Sequence, residues 1–240
     1  MPVRRTLACL TCALTLSPHS QAISPSDFDW NGQLGIASGL VYRGLDLTSG
    51  DVTPNVDVAV EHTSGLYLHG WLTYLYLPEY YIDEIDGEDA WQGMIDLGYS
   101  WRASHDWTLT LAHNWYRYTE QWLEQSPDYR EWNASVDYRD FVTVGYARSD
   151  RLWGIDERQD TLTLSARWPF HRRVLGEAAF GWVDQSGTYS DHYSFARLNL
   201  GVLWRAWSAQ LQYHHSFGMG DTYEHDIAEH VVIAALNWHW

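Results

Sequence analysis

Val231-Val232-Ile233-Ala234-Ala235-Leu236-Asn237-Trp238-His239-Trp240 closes the chain. Val232, Ala234, Leu236, Trp238 and Trp240 occupy every second position, with Asn237 and His239 between the last of them. Strand side chains alternate between two faces, so this stretch is a strand with one apolar face that ends on an aromatic. Two kinds of fold use such a strand. In a soluble protein it is a buried last strand. In a membrane-spanning β-barrel its apolar face meets lipid and its aromatic end sits at the interface. The rest of the chain decides between them.

The period of two recurs in eleven further segments, at 30–43, 55–61, 66–77, 91–101, 107–115, 131–138, 142–146, 161–168, 177–182, 196–204 and 207–214. In the first, Trp30, Leu34, Ile36, Leu40 and Tyr42 share a face opposite Asn31, Gln33, Gly35 and Arg43. Segment 66–77 is apolar on both faces, so its register stays open. Short connections at 63–65, 103–106, 139–140, 169–174 and 205–206 alternate strictly with longer ones at 44–52, 78–90, 119–128, 149–159, 184–192 and 218–228. An even-stranded barrel with both termini at one end requires that alternation, and a sandwich does not. The second face carries Gly, Ser, Thr, Asn, Gln and charges, which is too polar for a dry sandwich core. The expectation is an all-β chain: a single antiparallel up-and-down transmembrane barrel of about twelve strands, short turns towards the periplasm. Aromatics cluster at segment ends, as interfacial girdles do: Trp101, Tyr138, Trp168, Trp204 and Trp240 near short turns, Tyr42, Tyr74 and Trp182 near long ones.

At the other end, residues 1–22 read as a cleaved secretory signal. Arg4 and Arg5 precede a short apolar run, and Ser20-Gln21-Ala22 offers a cleavage site. The barrel would then occupy 23–240. Cys9 and Cys12, the two cysteines of the chain, both fall in the signal. The mature protein would thus hold no disulfide, no zinc–thiolate site and no cysteine nucleophile. There is no lysine; without Arg4 and Arg5, the 15 basic residues become 13 against 31 acidic, a formal −18. Phosphate binding needs a basic face, so nucleic acid is not an expected partner. Fifteen Trp and sixteen Tyr suit two membrane interfaces, although a sugar-binding β-protein is also aromatic-rich.

Inward-facing charges are the candidate site: Arg43, Asp57, Glu61, Asp96, Glu131, Asp137, Arg167, Glu177 and Arg197. They could line a pore that selects by charge, or pair into bridges that fill a narrow lumen. Glu79, Asp83, Glu84, Asp86, Glu88 and Asp89 crowd one loop but match no calcium-loop spacing, so no metal or cofactor is expected. No serine motif accompanies His225-Asp226 or His214-His215, so no catalytic residue is assigned. A surface-binding barrel would act through loop aromatics such as Trp122, Trp153 and Tyr80-Tyr81.

Ser38-Gly39-Leu40-Val41-Tyr42-Arg43-Gly44, Pro54, and Glu61-His62-Thr63-Ser64-Gly65-Leu66-Tyr67 with Gly70 and Trp71 resemble the TorF-type porin family of proteobacterial outer-membrane proteins. The resemblance covers roughly residues 30–100. The family pattern has a tyrosine where this chain has Leu40 and an aspartate where it has Ala59; Asp57, on the same strand face, is the candidate to take over that carboxylate. The resemblance implies a barrel, a channel for small solutes, and outer-membrane lipid and lipopolysaccharide as surroundings. It supplies no substrate. Barrels of this kind also present a terminal aromatic strand to the barrel-assembly machinery, a role that falls here on Leu236, Trp238 and Trp240.

Overall fold

The computed structural model describes residues 27–77, 88–119, 126–187, 191–218 and 230–240. The predicted signal, Glu79 to Asp86 of the acidic loop, Tyr80-Tyr81, Trp122 and His225-Asp226 lie outside them. Fourteen strands follow in chain order among the described residues: β1 (Phe28–Ala37), β2 (Val41–Tyr42), β3 (Leu45–Asp46), β4 (Thr53–His62), β5 (Leu66–Leu77), β6 (Glu88–Arg102), β7 (Trp107–Tyr118), β8 (Tyr129–Tyr138), β9 (Val142–Ser149), β10 (Glu157–His171), β11 (Val174–Gly187), β12 (His192–Trp204), β13 (Trp207–Phe217) and β14 (Val231–His239). Twelve of them, all but β2 and β3, pair antiparallel with their neighbours, and β14 returns to β1 to close the barrel.

Closure answers the problem of the strand edge, because every strand then finds partners on both sides. The outer wall is apolar and exposed at Leu34, Ile36, Leu111, Leu162, Leu164, Leu198, Leu200 and Leu211. The inner wall buries Asn114, Glu131, Gln159, Asn199 and Asn237. That is a soluble core turned inside out: lipid covers the outside and polar groups fill the middle. The fold is the transmembrane barrel read from the alternation. On the outer wall at the short-turn end, Trp204, Trp207 and Trp238 are register neighbours on three adjacent strands, and Trp107 lies opposite Tyr138. This is the aromatic girdle that the segment ends announced.

The shortest register in the barrel wall is the seam. β1 and β14 share five pairs, Gln33↔His239 to Ala37↔Ala235, whereas β1 and β4 share ten. Trp240 extends it: its N–H donates to Gly32 O at 3.2 Å, and its ring lies where a Cβ on Gly32 would sit. Gly32 is therefore the notch that receives the last aromatic.

At the short turn 139–141, Arg139 and Asp140 both have positive φ, the backbone that a tight hairpin needs. Arg139 bonds Asp106 of the preceding short turn through Nε at 2.8 Å, and His105 adds a second bond. Arg139 first, then His105, pull the Asp106 carboxyl down to about 2. A depressed folded pKa gives a contribution that is present above the ordinary carboxylate range and lost as pH falls through the folded value. The side-chain carbon of Asp106 should therefore titrate near 2 by NMR; a midpoint near the ordinary 3.8 would mean that the two turns are not bridged.

Several boundaries differ from the sequence reading. β10 runs through Pro169 to His171 with a register shift, leaving only Arg172-Arg173 as the turn. The connections at 149–159 and 184–192 shrink, because β9 to β12 extend further than their apolar alternation. The largest difference is in the first segment. β1 stops at Ala37, and residues 38–52 leave the wall. Leu40 and Tyr42, assigned to the lipid face and Tyr42 to the girdle, turn into the lumen instead.

Candidate functional site

Residues 38–52 fold as a hairpin inside the barrel. Ser38 N–H donates to Ala234 O at 2.9 Å, and Ser38 Oγ accepts from Ala234 N–H at 3.0 Å, so the loop leaves the wall at the seam. β2 then pairs with β3 through Val41↔Asp46 and Tyr42↔Leu45. Arg43 and Gly44 form the two-residue tip, with φ of 49° and 86°. Positive φ at both central residues is the turn that matches strand twist, and glycine supplies one of them without steric cost. The base is closed by Leu47 N–H to Leu40 O at 2.8 Å and by Thr48 Oγ1, which accepts from Leu40 N–H at 2.9 Å.

The hairpin has an apolar side and a polar tip. Leu40, Leu45 and Leu47 pack with Leu75 and Ala90 of the wall, and Trp71, Tyr118 and Trp153 complete the cluster. Val41 packs on Ile233. This explains segment 66–77: Trp71 and Leu75 face the lumen because the hairpin lies on them, while Leu66, Leu68 and Leu72 face lipid. At the tip, Arg43 reaches Glu131 of β8 through Nη2 at 2.7 Å and Gln159 of β10 through Nη1 at 2.7 Å. The ion pair is inaccessible: the side chains are 7% and 0% exposed. The Arg43 guanidinium also lies 4.8 Å from the Tyr42 ring centre. On the far side, Ser216 Oγ of β13 donates to Gly44 O at 2.7 Å, and a Cβ at Gly44 would press on Phe195 and Ser216. The tip is thus held from β8, β10 and β13 at once.

The connection 150–156 adds cover. Its 3-10 turn, Leu152–Gly154, buries Leu152 against Tyr116 and Tyr129, whose rings stack at 4.3 Å. Small spaces flank the hairpin among the described residues. One of about 90 Å³ is lined by Arg43, Asn133, Thr161, Glu177, Arg197 and His214 among others. Another, about 60 Å³, lies towards the seam between Gln33, Asn55, Thr73, Gln210 and Asn237. A water takes roughly 30 Å³ of liquid, so each has room for two or three.

All nine charges read as inward are on the lumen side, but they do not form one ring. Asp57 accepts from His69 Nε2 at 2.7 Å on the next strand. Ala59 is the register partner of His69, so the carboxylate that meets this histidine comes from two residues along the same strand face. Asp96 accepts from Tyr67 Oη at 3.4 Å. Asp137 accepts from Thr143 Oγ1 at 2.5 Å. Across the bore, Arg167 and Arg197 both hold Glu177, Arg167 through Nε at 3.3 Å. Glu61 lies nearer the short turns, opposite Asp29 and Tyr67. One wall, β4 to β6, therefore carries Asp57, Glu61 and Asp96 with one histidine; the facing wall carries two arginines around one glutamate. The sequence reading missed Glu157, buried at the start of β10, because it fell in a supposed loop. It missed His69 because the strand's register was open.

No family model matches the sequence, and comparison with curated proteins finds no match. Solved structures do share the fold. A NanC porin aligns over 87% of this chain and 98% of its own, with a TM-score of 0.54 at 7% identity. A KdgM porin aligns over 87% and 97%, with a TM-score of 0.52 at 7% identity. At such identity the likeness is one of architecture: a closed small-porin barrel, reached by a different sequence.

Proposed function

We propose that this chain is an outer-membrane channel for small solutes, narrowed by its own first long loop and inclined towards cations. The observation that carries the reading is the 38–52 hairpin, pinned across a polar lumen by Arg43 and flanked by spaces with room for a few waters. The porin fold of its structural neighbours supports the channel. The chain's net charge and the six acidic residues among the nine inward charges support cations, because walls of one sign concentrate the opposite ion. A KdgM porin has been solved with disordered oligogalacturonate. An acidic saccharide is a poor match for this lumen, whose arginines are already engaged by Glu131 and Glu177. The TorF-type resemblance belongs to the same reading, since its Ser38–Gly44 motif is the first arm and tip of the hairpin. So do the signal at 1–22, a lipopolysaccharide setting, and recognition of Leu236, Trp238 and Trp240 by the assembly machinery. No catalytic role is assigned.

The buried ion pair and its two apolar clusters also suit a second reading, a barrel whose filled lumen is structural. Planar-bilayer recordings across a salt gradient separate the two. A channel gives small unitary steps and a cation-selective reversal potential that is strongest at low ionic strength, where screening is least. Selectivity should fall in the double variant Asp57→Asn/Glu61→Gln. Anion selectivity would hand control to Arg43, Arg167 and Arg197. A folded barrel that never conducts would favour the structural reading.

A further inference from the structure

The outer wall from β10 to β14 is grooved near its short-turn end. The groove holds about 550 Å³ and is apolar almost throughout. Trp168 and Phe170 stand on one side of it, both well exposed to lipid, and Leu198, Leu200 and Leu211 on the other. Between them the wall drops: Ala166 faces Ala178 in register, and Gly176 faces Trp168. Phe170 leans over Gly176, where a Cβ would meet its ring. Pockets that enclose a drug-sized ligand run to roughly 300–1,000 Å³, so a hydrocarbon chain fits a space of this size.

The two turns beside the groove carry charge. Arg172-Arg173 connects β10 to β11, and Arg205-Ala206 connects β12 to β13. The turns touch, because Leu203 N–H donates to Arg173 O at 2.8 Å. All three arginines are exposed, and none joins an ion pair among the described residues. The carboxylate nearest to Arg173 along the chain, Glu177, is held in the lumen by Arg167 and Arg197. At another short turn the balance is different: Arg139 is neutralised by Asp106. Arg205 lies towards lipid, with its guanidinium 5.3 Å from the ring centre of Trp204 in the girdle. Arginine lays its stem along apolar surface and keeps its head at the interface. A guanidinium also binds phosphate through two parallel hydrogen bonds. Uncompensated positive charge at headgroup depth, above an apolar groove, is complementary to a molecule with a phosphate at the interface and a hydrocarbon chain below it.

We propose that this sector binds one anionic phospholipid from the leaflet at the short-turn end, with its phosphate on Arg172, Arg173 and Arg205 and an acyl chain in the groove. The site is on the outer wall, so it stands whether or not the lumen conducts.

Native mass spectrometry of the full chain, folded in a non-ionic detergent, tests the site with dioleoyl phosphatidylglycerol and dioleoyl phosphatidylcholine as probes. The two lipids share acyl chains and phosphate and differ in net charge. One phosphatidylglycerol should stay on each barrel, with an affinity about tenfold or more above that for phosphatidylcholine. Each of Arg172→Gln, Arg173→Gln and Arg205→Gln should cost about fivefold, and the triple variant should lose the preference. Arg139→Gln, at a turn already neutralised, should keep it. The double variant Ala166→Leu/Ala178→Leu fills the groove with side chains that the lipid-facing wall carries elsewhere, and should retain less of both lipids. Inorganic phosphate in excess should not displace the bound lipid. Equal retention of the two lipids, or a preference that survives in the triple variant, would overturn the assignment of the headgroup. Undiminished retention in the alanine variant, or displacement by inorganic phosphate, would overturn the assignment of the groove. A ladder of equally weak phosphatidylglycerols with no first tight one would reduce the sector to ordinary wall and overturn the proposal as a whole.

Discussion

Glu131→Ala should open the bore and weaken the fold together. The change leaves the Arg43 guanidinium buried without its carboxylate, with Gln159 as its remaining charge-neutral partner. Stranding one member of a buried ion pair costs about 3–5 kcal/mol. The rest of the tip is held by the bonds from Gln159 and Ser216, and a typical neutral hydrogen bond contributes only about 1 kcal/mol. The cost therefore exceeds what pins the tip, and the cheaper state is one in which Arg43 leaves the wall for water. Unitary conductance should rise several-fold, with more open-channel noise as the tip fluctuates. Replacing both partners by apolar side chains of similar length, Arg43→Met with Glu131→Leu, should recover stability and the small conductance, because no charge is left stranded. Single-channel recordings and unfolding temperatures of the three variants check this. Unchanged conductance in Glu131→Ala would mean that the apolar side of the hairpin, Leu40, Leu45 and Leu47 on Leu75 and Trp71, holds it without the ion pair.

The second large effect concerns closure. Removing Trp240, or replacing it by glutamate, should sharply reduce the folded fraction in the outer membrane. The same substitution at Trp122, in a long loop by sequence, should not. The seam has half the register of its neighbour on the other side of β1, and Trp240 covers Gly32 at its end. A charge there also faces lipid near the interface, which a barrel tolerates poorly. Gly32→Val should mimic the defect, because its side chain would take the place of the Trp240 ring. The heat-dependent gel shift of membrane fractions measures the folded share. Equal folded shares for the Trp240 and Trp122 variants would make the last aromatic an ordinary strand end.

The barrel was legible because its physics is periodic. Alternation at Trp30, Leu34 and Ile36, or at Leu162 and Leu164, needs only the strand's two faces and a lipid outside. The loop rhythm then fixed the count of strands. The hairpin was not legible by the same rule. Leu40 and Tyr42 continue the period of β1, and nothing in a two-residue repeat says that the chain has turned inward at Ser38. Two signs were present. Segment 66–77 is apolar on both faces, which a water-filled lumen does not allow and an infolded partner does. Tyr42-Arg43-Gly44-Leu45 places a glycine at the second turn position of a tight hairpin. Read together, they would have moved Arg43 from the wall to the tip. The pairing of the nine charges could not be read, because partners such as Arg43 and Glu131 are brought together only by the fold.

Single-channel conductance of a chain in which residues 39–50 are replaced by a short Gly/Ser turn addresses the hairpin's role most directly, compared with the wild type in the same bilayer and salt. The shortened barrel keeps its wall and loses the occupant of its lumen. Unitary conductance should rise several-fold, with weaker ion selectivity as the bore widens. A folded, heat-shifting variant with wild-type conductance would contradict the claim that this hairpin sets the width of the channel.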